Sequence, residues 1–231
     1  MNNMLQTSVY FGVLISVAAY EAGNFLKKKF KNPIFNPLLI SIIITMLFLA
    51  VFKVDYSTYY EGAKYLSYLL TPATVALAVP LYRQIQLLKD NFLSIMAGIA
   101  AGTLTSMGLM YLLSIIFKLS TSEYATLLPK SITTAIGMGV SEELGGIVTI
   151  TVALIILTGI AGNIMGEFVC KIFKIKNSAA RGVALGTSAH AIGTARAMEM
   201  GEIEGAISSL SIAVAGILTV VLAPIFINLP L

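Results

Sequence analysis

Tryptophan is absent from this chain, and cysteine and histidine occur once each, as Cys170 and His190. A single cysteine excludes an internal disulfide and any cysteine-rich metal site. With one histidine beside it, no metal is expected. Charge is scarce too. Asp, Glu, Lys and Arg make up 11% of the 231 residues, against about 25% in ordinary soluble domains. Strict two-residue alternation of hydrophobicity is missing, which argues against a β-barrel. There is no HExxH, CxxC or nucleophile elbow, and no strand precedes the glycine pairs. No recognisable nucleophile–base set remains, so the chain does not read as an enzyme and no cofactor is expected.

What the chain does have is hydrocarbon, with 57% of its residues hydrophobic. Uncharged runs cover 1–20, 32–52, 91–117, 144–166 and 205–231, and each reaches the roughly 20 residues that span a bilayer core. A further run, 65–82, is marginal. The composition therefore predicts an all-α polytopic membrane protein with about seven or eight hydrophobic segments. The N-terminus lacks a basic leader and a small-residue cleavage site, so the first segment reads as a retained helix rather than a signal peptide. The net charge of +4 comes mostly from residues 27–31 and from Lys171, Lys174, Lys176 and Arg181. In a membrane protein such clusters mark cytoplasmic loops rather than nucleic-acid binding. No soluble domain or linker is visible, and residues 1–231 read as one membrane domain.

Several segments are not written as plain spans. Helix one is expected over about 5–26, and helix two over about 34–52 after the helix-starting prolines of NPIFNP. VDYSTYYEGAK reads as a short interfacial loop with three tyrosines. Residues 65–84 carry Pro72 and Pro80 inside an apolar run, which should kink or break a helix. Residues 91–117 are a clean span with a close-packing Gly98–Gly102 face. Segment 127–146 begins at Pro129 and Lys130, holds four glycines and ends in Glu142 and Glu143. Residues 147–170 are clean again but include Asn163. Segment 182–201 then gathers His190, Arg196 and Glu199, and 205–229 closes the chain. Two or three segments should thus be broken or re-entrant. Setting both lysine-rich loops inside demands an even number of net crossings between 53 and 146, where three segments lie. TPATVALAVPLY at 71–82 echoes PKSITTAIGMGV at 129–140. That echo suggests inverted repeats, with halves 1–118 and 123–231 and a site at their interface.

The chemistry concentrates in the broken segments. Irregular backbone survives in hydrocarbon only when it is buried in protein or lines a polar cavity, and the positive N-terminal end of a half-helix binds carboxylates. Ser131, Thr133 and Thr134 in one segment, and Thr187, Ser188, Gly193 and Thr194 in the other, supply hydroxyls and glycine amides. Lys130 and Arg196 add positive charge. A small carboxylate is the expected cargo. The alternative is that the hydroxyls merely bond carbonyls one turn back. Glu142, Glu143, His190 and Asn163 are candidates for handling a coupling ion, His190 because it titrates near neutrality. Arg196 and Glu199, three apart, can instead pair structurally. Gly182–Gly186 and Gly201–Gly205 read as close helix packing.

PKSITTAIGMGVSEELGG, GTSAHAIGTARAMEMGEIEGA and TPATVALAVPLY resemble signature stretches of the LrgB/CidB family of bacterial membrane proteins, over nearly the whole chain. The resemblance implies a cytoplasmic-membrane location and a smaller LrgA/CidA-type membrane partner. It also implies one of two roles. The first is transport of small 2-oxo or 2-hydroxy acids such as pyruvate, glycolate or lactate, as in the related plastid glycolate/glycerate transporter. The second is antiholin-like control of murein hydrolases and autolysis. A homodimer or higher oligomer is the default expectation for a small membrane carrier.

Overall fold

The computed structural model describes residues 10–30 and 35–230, and every regular element among them is a helix. The chain divides into two compact units, Met1–Ala76 and Leu77–Leu231. The first contains α1 (Phe11–Phe30), α2 (Pro37–Val51), α3 (Tyr56–Ser67) and α4 (Leu70–Ala76). The second contains α5 (Ala78–Arg83), α6 (Ile85–Asp90), α7 (Phe92–Phe117), α8 (Thr121–Leu127), α9 (Thr134–Glu143), α10 (Val148–Ile172), α11 (Ser178–Met200) and α12 (Glu202–Ile227).

In the first unit, Asn36 accepts hydrogen bonds from the amides of Leu38 and Leu39, and Pro37 opens α2 where its missing amide proton costs nothing. VDYSTYYEGAK, read from sequence as a loop, is largely helical as α3. An i,i+3 pair of Glu61 and Lys64 supports it. Its Tyr59 hydroxyl lies 2.7 Å from Ser16 Oγ on α1. Gly12 lets the two helices close, since a Cβ there would overlap the Tyr59 carbonyl oxygen. Tertiary packing thus orders a segment whose composition looked interfacial. Part of the expected first helix, 5–26, falls outside the described residues.

Among the described residues, three helices are long and apolar enough to cross a membrane: α7, α10 and α12. Each is 25 or 26 residues long, a rise of roughly 38 Å at 1.5 Å per residue, which exceeds a ~30 Å core. The run at 32–52 forms only the 15-residue α2, about 22 Å long and short of a full span. Of the expected hydrophobic segments, three stand as clear spans and one as a shorter apolar helix among the described residues. Large side chains such as Leu112, Ile116, Leu157, Phe168, Ile217 and Val221 lie exposed on the three spans. Such surfaces belong in lipid.

Lipid tails are as apolar as leucine, so close packing and hydrogen bonds, rather than water exclusion, hold spans together. α11 and α12 pack by their small residues. A Cβ on Gly186 would stand 2.5 Å from Ser208 O, and one on Gly182 2.7 Å from Glu204 O. The glycine face of α7 meets the other side of α11, Gly98 against Val183 and Gly102 against Thr187. Met107 of α7, Tyr124 of α8, Leu128, Ile132, Val140 of α9 and Ala223 of α12 form one core cluster. Residues 65–84 are broken, as their prolines required. Pro72 lies in α4 and Pro80 in α5, on either side of the division between the units.

Candidate functional site

α11 is broken in its middle. His190 has φ 42° and ψ −137°, inside a segment otherwise helical from Ser178 to Met200. Only a surrounding structure that over-determines such a conformation lets a non-glycine residue keep it. α10 supplies that structure. His190 Nε2 lies 2.9 Å from Ile155 O, and Asn163 Nδ2 donates to Ile192 O at 2.8 Å. Gly159 leaves room for the imidazole, which a Cβ there would approach to 2.7 Å. Gly193 lets the restarted helix close on the first half, where a Cβ would meet Leu185 O at 2.7 Å. Thr194 donates to His190 O and stands 2.7 Å from Ser208 Oγ of α12. His190 and Asn163, expected to serve a coupling ion, are both engaged in fixing the break.

A second interruption separates α8 from α9. Ser120 caps α8. Its hydroxyl and its amide both donate to Glu123, which holds that carboxyl below its ordinary value. The chain then leaves the helix at Leu128 and Pro129, and α9 restarts after Thr133, whose side chain makes no capping bond. Thr134 is the first residue of α9, and Glu142 and Glu143 lie exposed at its end. In the irregular stretch Lys130 Nζ donates to Ser131 Oγ at 3.0 Å, and Ser131 Oγ is 2.9 Å from Ser106 Oγ of α7.

Both interrupted segments line a largely apolar cavity of about 620 Å³, where Gly102, Ser106, Lys130, Ser131, Thr187 and Ser188 stand among side chains such as Leu109, Met165 and Val169. Four residues singled out from sequence therefore share one space. The hydroxyls differ in kind. Thr187 donates to Val183 O, Ser188 to Ala184 O and Thr194 to His190 O, each one turn back. Their oxygens remain able to accept, but their protons are committed. Ser131 is bonded instead to another segment, and no carboxylate pairs with Lys130 among the described residues.

Arg196 lies in a different place. It pairs with Glu167 of α10, and with Glu199 at 2.6 Å, lining a second cavity of about 280 Å³ together with Cys170, Lys171 and Arg181, of which Cys170 also walls the larger one. Lys171 also reaches Glu167, at 2.9 Å. The structural pairing of Arg196 with Glu199 is present, joined by a partner that sequence spacing did not indicate. Glu167 stands alone at the end of a clean span, a signal that went unread. Ser106 and Thr103 were missed for a related reason. They sit in an otherwise unremarkable span, and only their i,i+3 spacing beside Gly102 hinted at a polar face.

A sequence model of the LrgB-like family matches residues 16–229. The chain belongs to the LrgB-like family. It is 39% identical over 223 residues to the antiholin-like protein LrgB of Bacillus subtilis (strain 168), covering 96% of each chain. It is 37% identical over 218 residues to the antiholin-like protein LrgB of Bacillus mycoides (strain KBAB4) and to that of Bacillus cereus (strain B4264), covering 94% of this chain and 95% of each relative. No solved structure matches. Membership of a bacterial family and three span-length apolar helices make this LrgB-like chain a membrane protein of bacterial type.

Proposed function

We propose that this LrgB-like protein is a secondary transporter of small 2-oxo or 2-hydroxy monocarboxylates in the bacterial cytoplasmic membrane, working with a smaller LrgA/CidA-type partner and coupled to protons. The observation that carries this reading is Lys130. It is a half-buried cation without a carboxylate partner among the described residues, on the wall of a largely apolar cavity that Ser106, Ser131, Thr187 and Ser188 also line. Holding such a charge in hydrocarbon is costly, by roughly 2.5–3.5 kcal/mol on insertion scales. An anion that neutralises it on arrival makes the arrangement useful. The carboxylate meets Lys130, Ser131, Thr187 and Ser188, with Thr133, Thr134, Gly193 and Thr194 supporting the two half-helices. Arg196 sets the ends of α10 and α11 through Glu167. Glu142 or Glu143 carries the coupling proton. Inverted repeats of halves 1–118 and 123–231, and pairing of copies, belong to the same carrier reading.

The name of the relatives, antiholin-like, favours a second reading, in which the chain restrains a holin-like partner and so tempers murein hydrolase activity and autolysis. The two readings part on the same variants. Labelled pyruvate, glycolate or lactate entering proteoliposomes saturably under a pH gradient, and failing to enter with Lys130→Met, supports the carrier. Dye leakage on adding the partner, suppressed by this chain, sensitive to Gly98→Leu and indifferent to Lys130 and Glu142, supports the regulator and overturns the carrier.

A further inference from the structure

Thr103 on α7 carries the one buried side-chain polar atom that lacks a hydrogen-bond partner among the described residues. The residue is 3% exposed. Buried hydroxyls are nearly always satisfied, so an orphan points to an occupant. Thr103 lines a void of about 10 Å³, roughly the room that the centre of one water needs.

The lining explains what kind of occupant fits. Its other polar walls are Ser106, Ser131, Thr187 and Thr219, and no charged side chain takes part. Hydroxyls both donate and accept, so they suit a carbonyl oxygen and a hydroxyl equally. A bare cation is disfavoured. There is no carboxylate to neutralise it, and the Lys130 ammonium sits 3.0 Å from Ser131 Oγ. Ser106, Ser131 and Thr187 also wall the 620 Å³ cavity, so the void adjoins the larger space. A molecule whose carboxylate meets Lys130 brings the substituent on its next carbon to the Ser131 hydroxyl, which forms the common wall.

We propose that the void beside Thr103 is an oxygen-sized subsite, filled by water in the unloaded protein and by the oxygen on carbon 2 of a bound carboxylate. Thr103, Ser106 and Thr219 then select acids oxygenated at that carbon over plain short-chain acids. This inference rests on the carrier reading for the position of the carboxylate.

The test compares lactate with propionate, which differ by that single hydroxyl. Binding is read by titration calorimetry and transport by uptake, both with the chain reconstituted beside its partner. The wild type is expected to favour lactate by about tenfold or more, since a site built to bond a hydroxyl rejects the analogue lacking it. Thr103→Val should bring the two acids within about twofold of each other. It should change the melting temperature of the acid-free protein little, because valine keeps the shape and gives up only the contact with one bound water. Thr103→Ser should retain the preference. Thr219→Val, read in the same way, serves if Thr103→Val fails to fold. An undiminished preference in the valine variants overturns the subsite while leaving a transporting protein a carrier. A wild type that binds neither acid, or both equally, overturns the subsite directly. Selective binding without uptake overturns the carrier reading and leaves the subsite standing.

Discussion

Lys130 and Arg196 are cations on two broken segments, and their surroundings are opposite. Arg196 is saturated by Glu167 and Glu199, with Lys171 sharing Glu167. Lys130 has a hydroxyl partner, Ser131, and opens on a cavity of about 620 Å³. A guanidinium held by two carboxylates has its charge answered within the chain and acts on geometry, tying α11 to α10. An ammonium answered only by a dipole is, on the carrier reading proposed above, the one that meets an arriving anion. The contrast separates a cation paired within the fold from one left without a carboxylate among the described residues, although both lie on broken segments and look alike in sequence.

The sharpest way to break this contrast is to remove each charge in turn. Lys130→Met should reduce saturable carboxylate uptake by about 100-fold or more while leaving the protein folded, because the lost interaction is made with cargo. Lys130→Arg should recover part of the uptake. Unchanged uptake in Lys130→Met would end the distinction between the two cations. Arg196→Gln should behave in the reverse sense. It should lower stability by about 1 kcal/mol, discounted for the partial exposure of the pair, with uptake per folded molecule close to wild type. A cycle with Glu167→Gln should show the double variant less damaged than the sum of the single ones, read by thermal unfolding in detergent.

His190 sharpens the comparison from the side of the backbone. His190→Leu loses the bond to the Ile155 carbonyl, which keeps its own helical bond, at a cost of roughly 1 kcal/mol. Hydrogen exchange at residues 189–194 should rise accordingly. If exchange there does not change, the imidazole does not pin the break.

The smallest effect is expected at Glu123, an acid held by donors rather than by a cation. Bonds from the hydroxyl and amide of Ser120 depress its carboxyl below 4.5. Its stabilising contribution is therefore fully present above the unfolded carboxylate range and is lost as pH falls through the lowered folded value. The wild type should melt slightly above Glu123→Gln at pH 6, and the gap should close under acid. A gap that widens on acidification would contradict the capping geometry.

Much of this was written in the residues. The three spans follow from uncharged runs at 91–117, 144–166 and 205–231, because hydrocarbon tolerates only continuous helix of sufficient length. Proline and glycine placed the break after Leu127, and the Gly98–Gly102 and Gly182–Gly186 pairs marked the packing faces that α7 and α11 use. The break at His190 was anticipated by GTSAHAIGT, though a periodic pattern does not say which residue takes the left-handed conformation. Helix α3 was missed because its order comes from Ser16 and Gly12, more than 40 positions from Tyr59 in sequence.

Partner choice was not legible. Residue types at 181–204 declared that charge stands in the membrane domain, but sequence distance carries no information about Glu167 reaching Arg196 or Ser106 reaching Ser131. Those pairings join residues 25 and 29 positions apart along the chain, and a hydrogen bond forms only within about 3 Å. By itself the sequence determined the class of protein, its three long spans and the segments that break, because those depend on local hydrocarbon length and backbone chemistry. Tertiary structure alone decided which cation is satisfied and which is left facing a cavity, because that depends on which helix faces happen to touch.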